Sequence, residues 1–185
     1  MKKLNFVIFV FLMSINIFAK TNVEKEVKKI REEFVKINSE KKYKVETVDG
    51  PGIARLAEYY RKNKELKKVV KYYNTPDLVI ITQYYLKNKE VFFVYCVEEK
   101  YEVKETGENV KISKTEKRYY FDKGELIRYI EDGKIYDKGN IPEMYIEDAK
   151  SLPKTLSELE KIRQFTLGMW TTSTYRNKGL LAKDC

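Results

Sequence analysis

A thrice-repeated turn signature constrains this chain more than any other feature. Tyr59-Tyr60 is followed by Asn63, Lys64, Glu65 and Leu66; Tyr84-Tyr85 by Asn88, Lys89, Glu90 and Val91; Tyr119-Tyr120 by Lys123, Gly124, Glu125 and Leu126. Each copy reads as a strand end, a tight turn and a strand start. Asn or Gly at the turn tolerates the positive φ that tight hairpins demand, and the residues after it return to apolar strand character. Between 41 and 136 the chain consists of short runs rich in Val, Ile, Tyr and Phe, separated by clusters such as Asn74-Thr75-Pro76-Asp77 and Asp132-Gly133. This is the pattern of successive hairpins. Ile53, Leu56, Ala57 and Tyr60, then Leu66, Val69, Val70 and Tyr73, also fit helical spacing. The repeat favours a hairpin there too, because the same signature recurs where β-branched and aromatic residues dominate.

Helical patterns flank this region. Val23, Val27, Ile30, Phe34 and Ile37 alternate spacings of four and three, with Lys and Glu on the other face. That predicts an amphipathic helix lying on a sheet. Thr21 and Glu24 form a capping box at its start. After Pro153, Thr155 and Glu158 form a second such box, and Leu156, Leu159, Ile162, Phe165 or Thr166, and Met169 supply an apolar face. Trp170 at the end of that helix reads as a core plug or edge cover. The expected fold class is therefore α+β: an antiparallel β-meander of about six or seven strands, an N-terminal helix packed on one face, and C-terminal helix or helices closing an edge. The expected boundaries are a helix over 20–40, the meander over 41–136, a helical segment over 150–170 and a tail over 171–185, all in one domain spanning 20–185.

Residues 1–19 read as a signal peptide: Lys2 and Lys3, an apolar run from Leu4 to Phe18, then Ala19 where a peptidase would cut. Ile17 departs from the alanine usual two positions before the cut. The run is shorter than the roughly 17 to 25 apolar residues that span a bilayer. The sequence thus predicts export to the periplasm or beyond the cell, with no stable transmembrane segment after cleavage. Losing Lys2 and Lys3 leaves most of the +9 net charge, carried by lysines spread along the chain. Such a surface favours anionic partners through long-range attraction without fixing one.

The helix residues Ile30, Arg31, Phe34, Ile37 and Asn38, followed by the tyrosine-rich stretches 66–73, 84–95 and 119–130, resemble small secreted bacterial proteins of uncharacterised function. Their pattern is an Ile-Arg-x-x-aromatic-x-x-Ile-Asn helix followed by a tyrosine-rich β-meander. The resemblance covers roughly residues 27 to 136 and implies no activity or catalytic residue. It implies Asn-Gly turns where this chain has Asn63-Lys64 and Asn88-Lys89.

Chemistry is constrained mainly by what is missing. The sequence has no histidine, which removes His-dependent nucleophilic catalysis and histidine zinc sites. It carries no Gly-rich phosphate loop, no Cys pair at metal spacing and no calcium loop, so no catalytic, cofactor or metal residues are nominated. Glu98, Glu99 and Glu102, or Glu131 and Asp132, are the available acid pairs, and lysines flank them as on a solvated face. Cys96 and Cys185 are the only cysteines. In an oxidising compartment they either pair, or Cys96 is a small buried hydrophobe and Cys185 stays available to another chain.

Because strand residues alternate faces, each Tyr-Tyr pair sends one ring to either side of the sheet. An uncovered face would then display a row drawn from Tyr59, Tyr60, Tyr84, Tyr85, Tyr119 and Tyr120, unless these rings pair across strands to stabilise the sheet. The first functional expectation is an exported, non-enzymatic envelope protein that binds another envelope or extracellular component through an aromatic and lysine sheet face. The component would be an anionic polymer, peptide or protein, ahead of nucleic acid. A second is an inhibitor of a secreted enzyme that inserts a loop such as Thr106 to Lys114; a third is a histidine-independent hydrolase.

Overall fold

The structure, a computed structural model, describes residues 22–50 and 53–180 and the side chains of 22–49 and 56–164. The expected signal peptide, the Thr21 cap, the Trp170 side chain and the pairing of Cys96 with Cys185 lie outside the described residues. A helix over 22–39, α1, is followed by eight strands: β1 Lys44–Gly50, β2 Ile53–Lys62, β3 Glu65–Asn74, β4 Leu78–Lys87, β5 Glu90–Val103, β6 Asn109–Asp122, β7 Glu125–Glu131 and β8 Lys134–Asp137. A long helix, α2, Glu143–Leu180, completes the chain. The sheet is one antiparallel meander in strict sequence order, so the fold is α+β as expected, with one or two strands more than anticipated.

Register explains the repeat. One row across the eight strands runs Glu46, Tyr59, Val69, Tyr84, Val94, Tyr119, Tyr129, Tyr136. The adjacent row, on the opposite face, runs Val45, Tyr60, Lys68, Tyr85, Phe93, Tyr120, Arg128, Asp137. Each Tyr-Tyr pair thus contributes one ring to each face, as strand alternation requires. Both faces are covered. The first row packs under α2 in a core with Leu86, Phe121, Ala149, Leu156 and Leu159. The second packs under α1 with Val27, Ile30, Ile37 and Ile127.

The stripe predicted for α1 is the one it buries: Val27, Ile30 and Ile37 are in the core, and Val23 and Phe34 pack against it. Phe34 meets Tyr85 and Phe93 with ring centroids 4.9 and 5.2 Å apart. Arg128, 3 % exposed, fixes the start of α1 by donating to Glu24 at 2.5 Å and to Asp137 at 2.6 Å.

The second helix departs from expectation. It begins at Glu143, not near 150, and Pro153 lies inside it instead of breaking it. The start signal is Pro142, whose carbonyl accepts from the Tyr145 and Ile146 amides, followed by acidic Glu143 in the first turn. Thr155 does not cap; its hydroxyl donates to the Ser151 carbonyl one turn back. The buried stripe is Tyr145, Ala149, Leu152, Leu156 and Leu159, and Ile162 is 44 % exposed. Arg163 continues that stripe, donating to Glu46 at 2.9 Å and lying 5.5 Å from the Tyr59 ring. The helix reaches Leu180, so much of the expected tail is helical. The segment Thr106 to Lys114 is not one loop: Asn109 onward is strand β6, and only 104–108 turn. Among the described residues no helix is long and apolar enough to cross a membrane.

Candidate functional site at the hairpin tips

The nominated tyrosines are structural at this end of the sheet. Tyr59, Tyr84, Tyr85, Tyr119 and Tyr120 are buried, and only Tyr60 is partly exposed. The open face on which they were expected to line up is closed because α2 crosses it. Tyr59 donates to the Leu159 carbonyl at 2.8 Å, Tyr85 to Gln83 at 2.8 Å, Tyr60 to Glu58 at 2.7 Å and Tyr119 to Asp148. Burial pushes the phenol of Tyr85 up to about 12 and those of Tyr59, Tyr84 and Tyr119 higher still. The aromatic rows are therefore the framework that holds the sheet to its helices.

The nominated acids do not converge. Glu98 pairs with Lys100 at 3.4 Å and Lys117 at 3.7 Å, and Glu99 with Lys111 at 2.7 Å. Glu131 accepts from Tyr145 at 2.8 Å, and Asp132 from the Glu116 amide at 2.7 Å. Hydrogen bonds from Lys111 and then Tyr101 hold the Glu99 carboxyl below the usual range, which suits an ionised surface partner and not a general acid. Cys96 faces Thr82 with Oγ1 to Sγ of 3.6 Å, and burial pushes its thiol up, away from the thiolate a nucleophile needs. Among the described residues no group of three or more metal-ligating side chains forms.

What the repeat does build is a cavity. Just after each Tyr-Tyr pair the register slips: between Tyr60 and Arg61, Tyr85 and Leu86, and Tyr120 and Phe121. Three equivalent β-bulges result, each turning the last residue pair but one before the hairpin. Those pairs are Arg61 with Leu66, Leu86 with Val91, and Phe121 with Leu126. Five of their six members line a cavity of about 640 Å3 between the hairpin tips and α2, where Pro153, Leu156, Ser157 and Glu160 form the opposite wall. The floor of Leu66, Leu86, Val91, Phe121 and Leu156 is apolar.

The rim is cationic and conformationally costly. In all three tip turns both central residues have positive φ: Asn63 and Lys64 at 51° and 68°, Asn88 and Lys89 at 53° and 70°, Lys123 and Gly124 at 50° and 79°. These are the signs of a type I′ turn, whose second position strongly favours glycine. A side chain with a Cβ in that left-handed region costs about 1 kcal/mol. Lys64, Lys89 and Lys123 are the positive-φ lysines among the described residues, and all three line the cavity. The β7–β8 turn has the same backbone signs but uses Asp132-Gly133 and stands away from it. None of the three lysines makes an ion pair among the described residues, whereas Arg61 contacts Glu160 at 3.4 Å and Glu65 contacts Lys67 at 2.8 Å. The turn residues were visible in the sequence as punctuation. The overlooked signal was lysine recurring where glycine or asparagine is cheap.

A smaller hollow of about 330 Å3 lies beside α1, with Arg31 above Tyr120 and Arg118 above Tyr95. Arg118 is already held by Glu116 at 2.8 Å. The tip cavity is larger, and its three turn lysines make no ion pair among the described residues.

Compared with known proteins, the chain matches no family model, no curated protein and no solved structure.

Proposed function

We propose that this is an exported, non-enzymatic binding protein whose ligand sits in the tip cavity between the repeated hairpins and α2. The observation that carries the reading is an apolar floor of ligand-pocket size under a rim of three lysines without ion-pair partners. Its volume lies within the roughly 300 to 1,000 Å3 typical of small-molecule sites. Of the acids nominated for hydrolysis, Glu98, Glu99, Glu131 and Asp132 are tied to a lysine, a tyrosine or a backbone amide and Glu102 is exposed, which supports binding over turnover.

The test uses a neutral apolar fluorophore, N-phenylnaphthylamine, titrated with the purified protein. Ser157 is an exposed α2 residue lining the cavity, so Ser157→Trp fills the space without removing a core contact. Saturable binding by the wild type, weakened at least about tenfold in Ser157→Trp and unchanged in a Ser151→Trp control on the same helix, is the expected result. Binding that Ser157→Trp leaves intact, with circular dichroism unchanged, would overturn the assignment.

A further inference from the structure

We infer that the tip cavity selects a monomeric single-chain anionic amphiphile, such as a long-chain carboxylate, whose headgroup is held between Lys64 and Lys89. This rests on the cavity reading above and names its ligand class. The first support is conformational. Glycine would relieve both lysines of a strained backbone, as Gly124 and Gly133 do at the same turn position. Strain of this kind persists where a site requires it. Lys64 and Lys89 hold it at equivalent positions of two repeats, and both border the same cavity.

The second support is the division of polarity. A solely apolar ligand has no use for cations at the mouth, and a small polar anion has no use for the floor of Leu66, Leu86, Val91, Phe121 and Leu156. At about 640 Å3 the cavity is in the range of small-molecule sites, enough for a single alkyl chain and not for a folded polymer. Geometry sets where the headgroup lies. The β2–β3 and β4–β5 tips are two strands apart in the sheet, about 10 Å at the usual interstrand spacing. A carboxylate midway between them is within reach of both lysine stems, while the chain runs inward under α2. Glu65, Glu90 and Glu160 line the cavity as well, but Glu65 is held by Lys67 and Glu160 by Arg61 and Arg163, so with Lys64, Lys89 and Lys123 facing Glu90 the rim remains net positive.

The experiment compares dodecanoate with dodecanol, both below their aggregation limits at pH 7.5, by displacement of the neutral fluorophore. Wild-type protein should prefer dodecanoate, with the preference shrinking as salt is raised. In Lys64→Gly/Lys89→Gly the dodecanoate affinity should fall about three- to tenfold while dodecanol binding stays constant and the melting temperature rises by several degrees. Lys64→Gln/Lys89→Gln keeps the strain and removes the charge, so it should lose the same preference without the rise in melting temperature. Equal affinity for the two ligands, or a preference that survives both double variants, would overturn the anionic class while leaving the cavity reading intact. Binding only to phosphatidylglycerol vesicles, with no monomeric dodecanoate bound, would also overturn it. Failure of the neutral fluorophore to bind would instead count against the cavity itself.

Discussion

Two tyrosines that stand side by side should respond in opposite directions to loss of the same hydroxyl. Tyr119 and Tyr129 face each other across β6 and β7, with ring centroids 4.9 Å apart, and both are at most 2 % exposed. Tyr119 donates to Asp148 on α2. The Tyr129 hydroxyl lies near Glu131 and Tyr119 but meets neither with hydrogen-bond geometry. Glu131 is instead taken by Tyr145. A hydrogen bond to a charged acceptor contributes about 1.5 to 3 kcal/mol. Asp148 is exposed and regains water when its donor goes, so Tyr119→Phe should cost near the lower end, about 1.5 to 2 kcal/mol. Tyr129→Phe removes a buried polar group that gains nothing in return, and burial of such a group costs about 1 to 3 kcal/mol on mutational scales. The variant should therefore be more stable than wild type by about 1 kcal/mol or somewhat more. The rings stay in place, so packing against Tyr145, stacked at 4.2 Å on Tyr129, is kept in both. Urea denaturation followed by far-ultraviolet circular dichroism, with fixed m-value, measures the difference. Tyr129→Phe destabilised as much as Tyr119→Phe would refute the assignment of hydrogen bonds in this core.

The buried phenols also make an alkaline limit. Burial holds Tyr85 neutral up to about 12 and Tyr59, Tyr84, Tyr119 and Tyr129 neutral beyond that, whereas in the unfolded chain they ionise near 10. The folded state then binds more protons than the unfolded one above about pH 10, so stability is fully present below that point and is lost as pH rises. Each such tyrosine contributes a slope of about 1.4 kcal/mol per pH unit. Tyrosinate absorbance and circular dichroism should change together in one cooperative step between about pH 10 and 12; gradual ionisation with the sheet intact would contradict this. On α2, Pro153 occupies an exposed interior position, where proline lacks the donor for the preceding turn and crowds its carbonyl. Pro153→Ala should raise stability by about 1 to 3 kcal/mol in the same urea assay, and a loss would mean that the proline supplies packing which outweighs the missing hydrogen bond.

The sequence was most informative where local periodicity and tertiary packing agree. The α1 stripe and the hairpin series carry periods of 3.6 and 2, and burial then selected those faces. Parity of the Tyr-Tyr pairs was legible for the same reason: neighbours on a strand must diverge. Their burial was not legible, because it depends on α2 crossing the sheet from Tyr145 near β7 to Arg163 at β1, a docking that no local pattern encodes. The start of α2 was misplaced because Pro153 satisfies a helix-breaking rule locally, while Leu152, Leu156 and Leu159 hold the helix against the sheet on both sides of it. Ile162 fits the helical period yet is exposed, since the stripe passes the edge of the sheet there and Arg163 turns to Glu46. The cavity escaped notice because its walls come from three hairpins, at 61–66, 86–91 and 121–124, and from 153–160 of α2.

On the proposed function, the repeat separates stability from binding along its own length. Its first two residues are the tyrosines that tie the sheet to α1 and α2, so substitutions there should register mainly as unfolding. A bulge follows, and the pair after it lines the cavity, Leu126 excepted. The turn then places a lysine at the rim in a conformation that opposes stability. Because the hairpins alternate direction, these turns collect at one end of the sheet. The turns at the other end, around Thr75 to Asp77, 104–108 and Asp132-Gly133, carry no positive-φ lysine among the described residues. If the rim lysines served only solubility, lysine would have no reason to prefer the left-handed positions that face α2 over the exposed strand positions beside them. The coincidence of strain, repetition and a shared apolar floor is the ground for proposing the tip end as the binding end. Variants at Lys64, Lys89 and Lys123 should accordingly change ligand affinity with little disturbance of the tyrosine core.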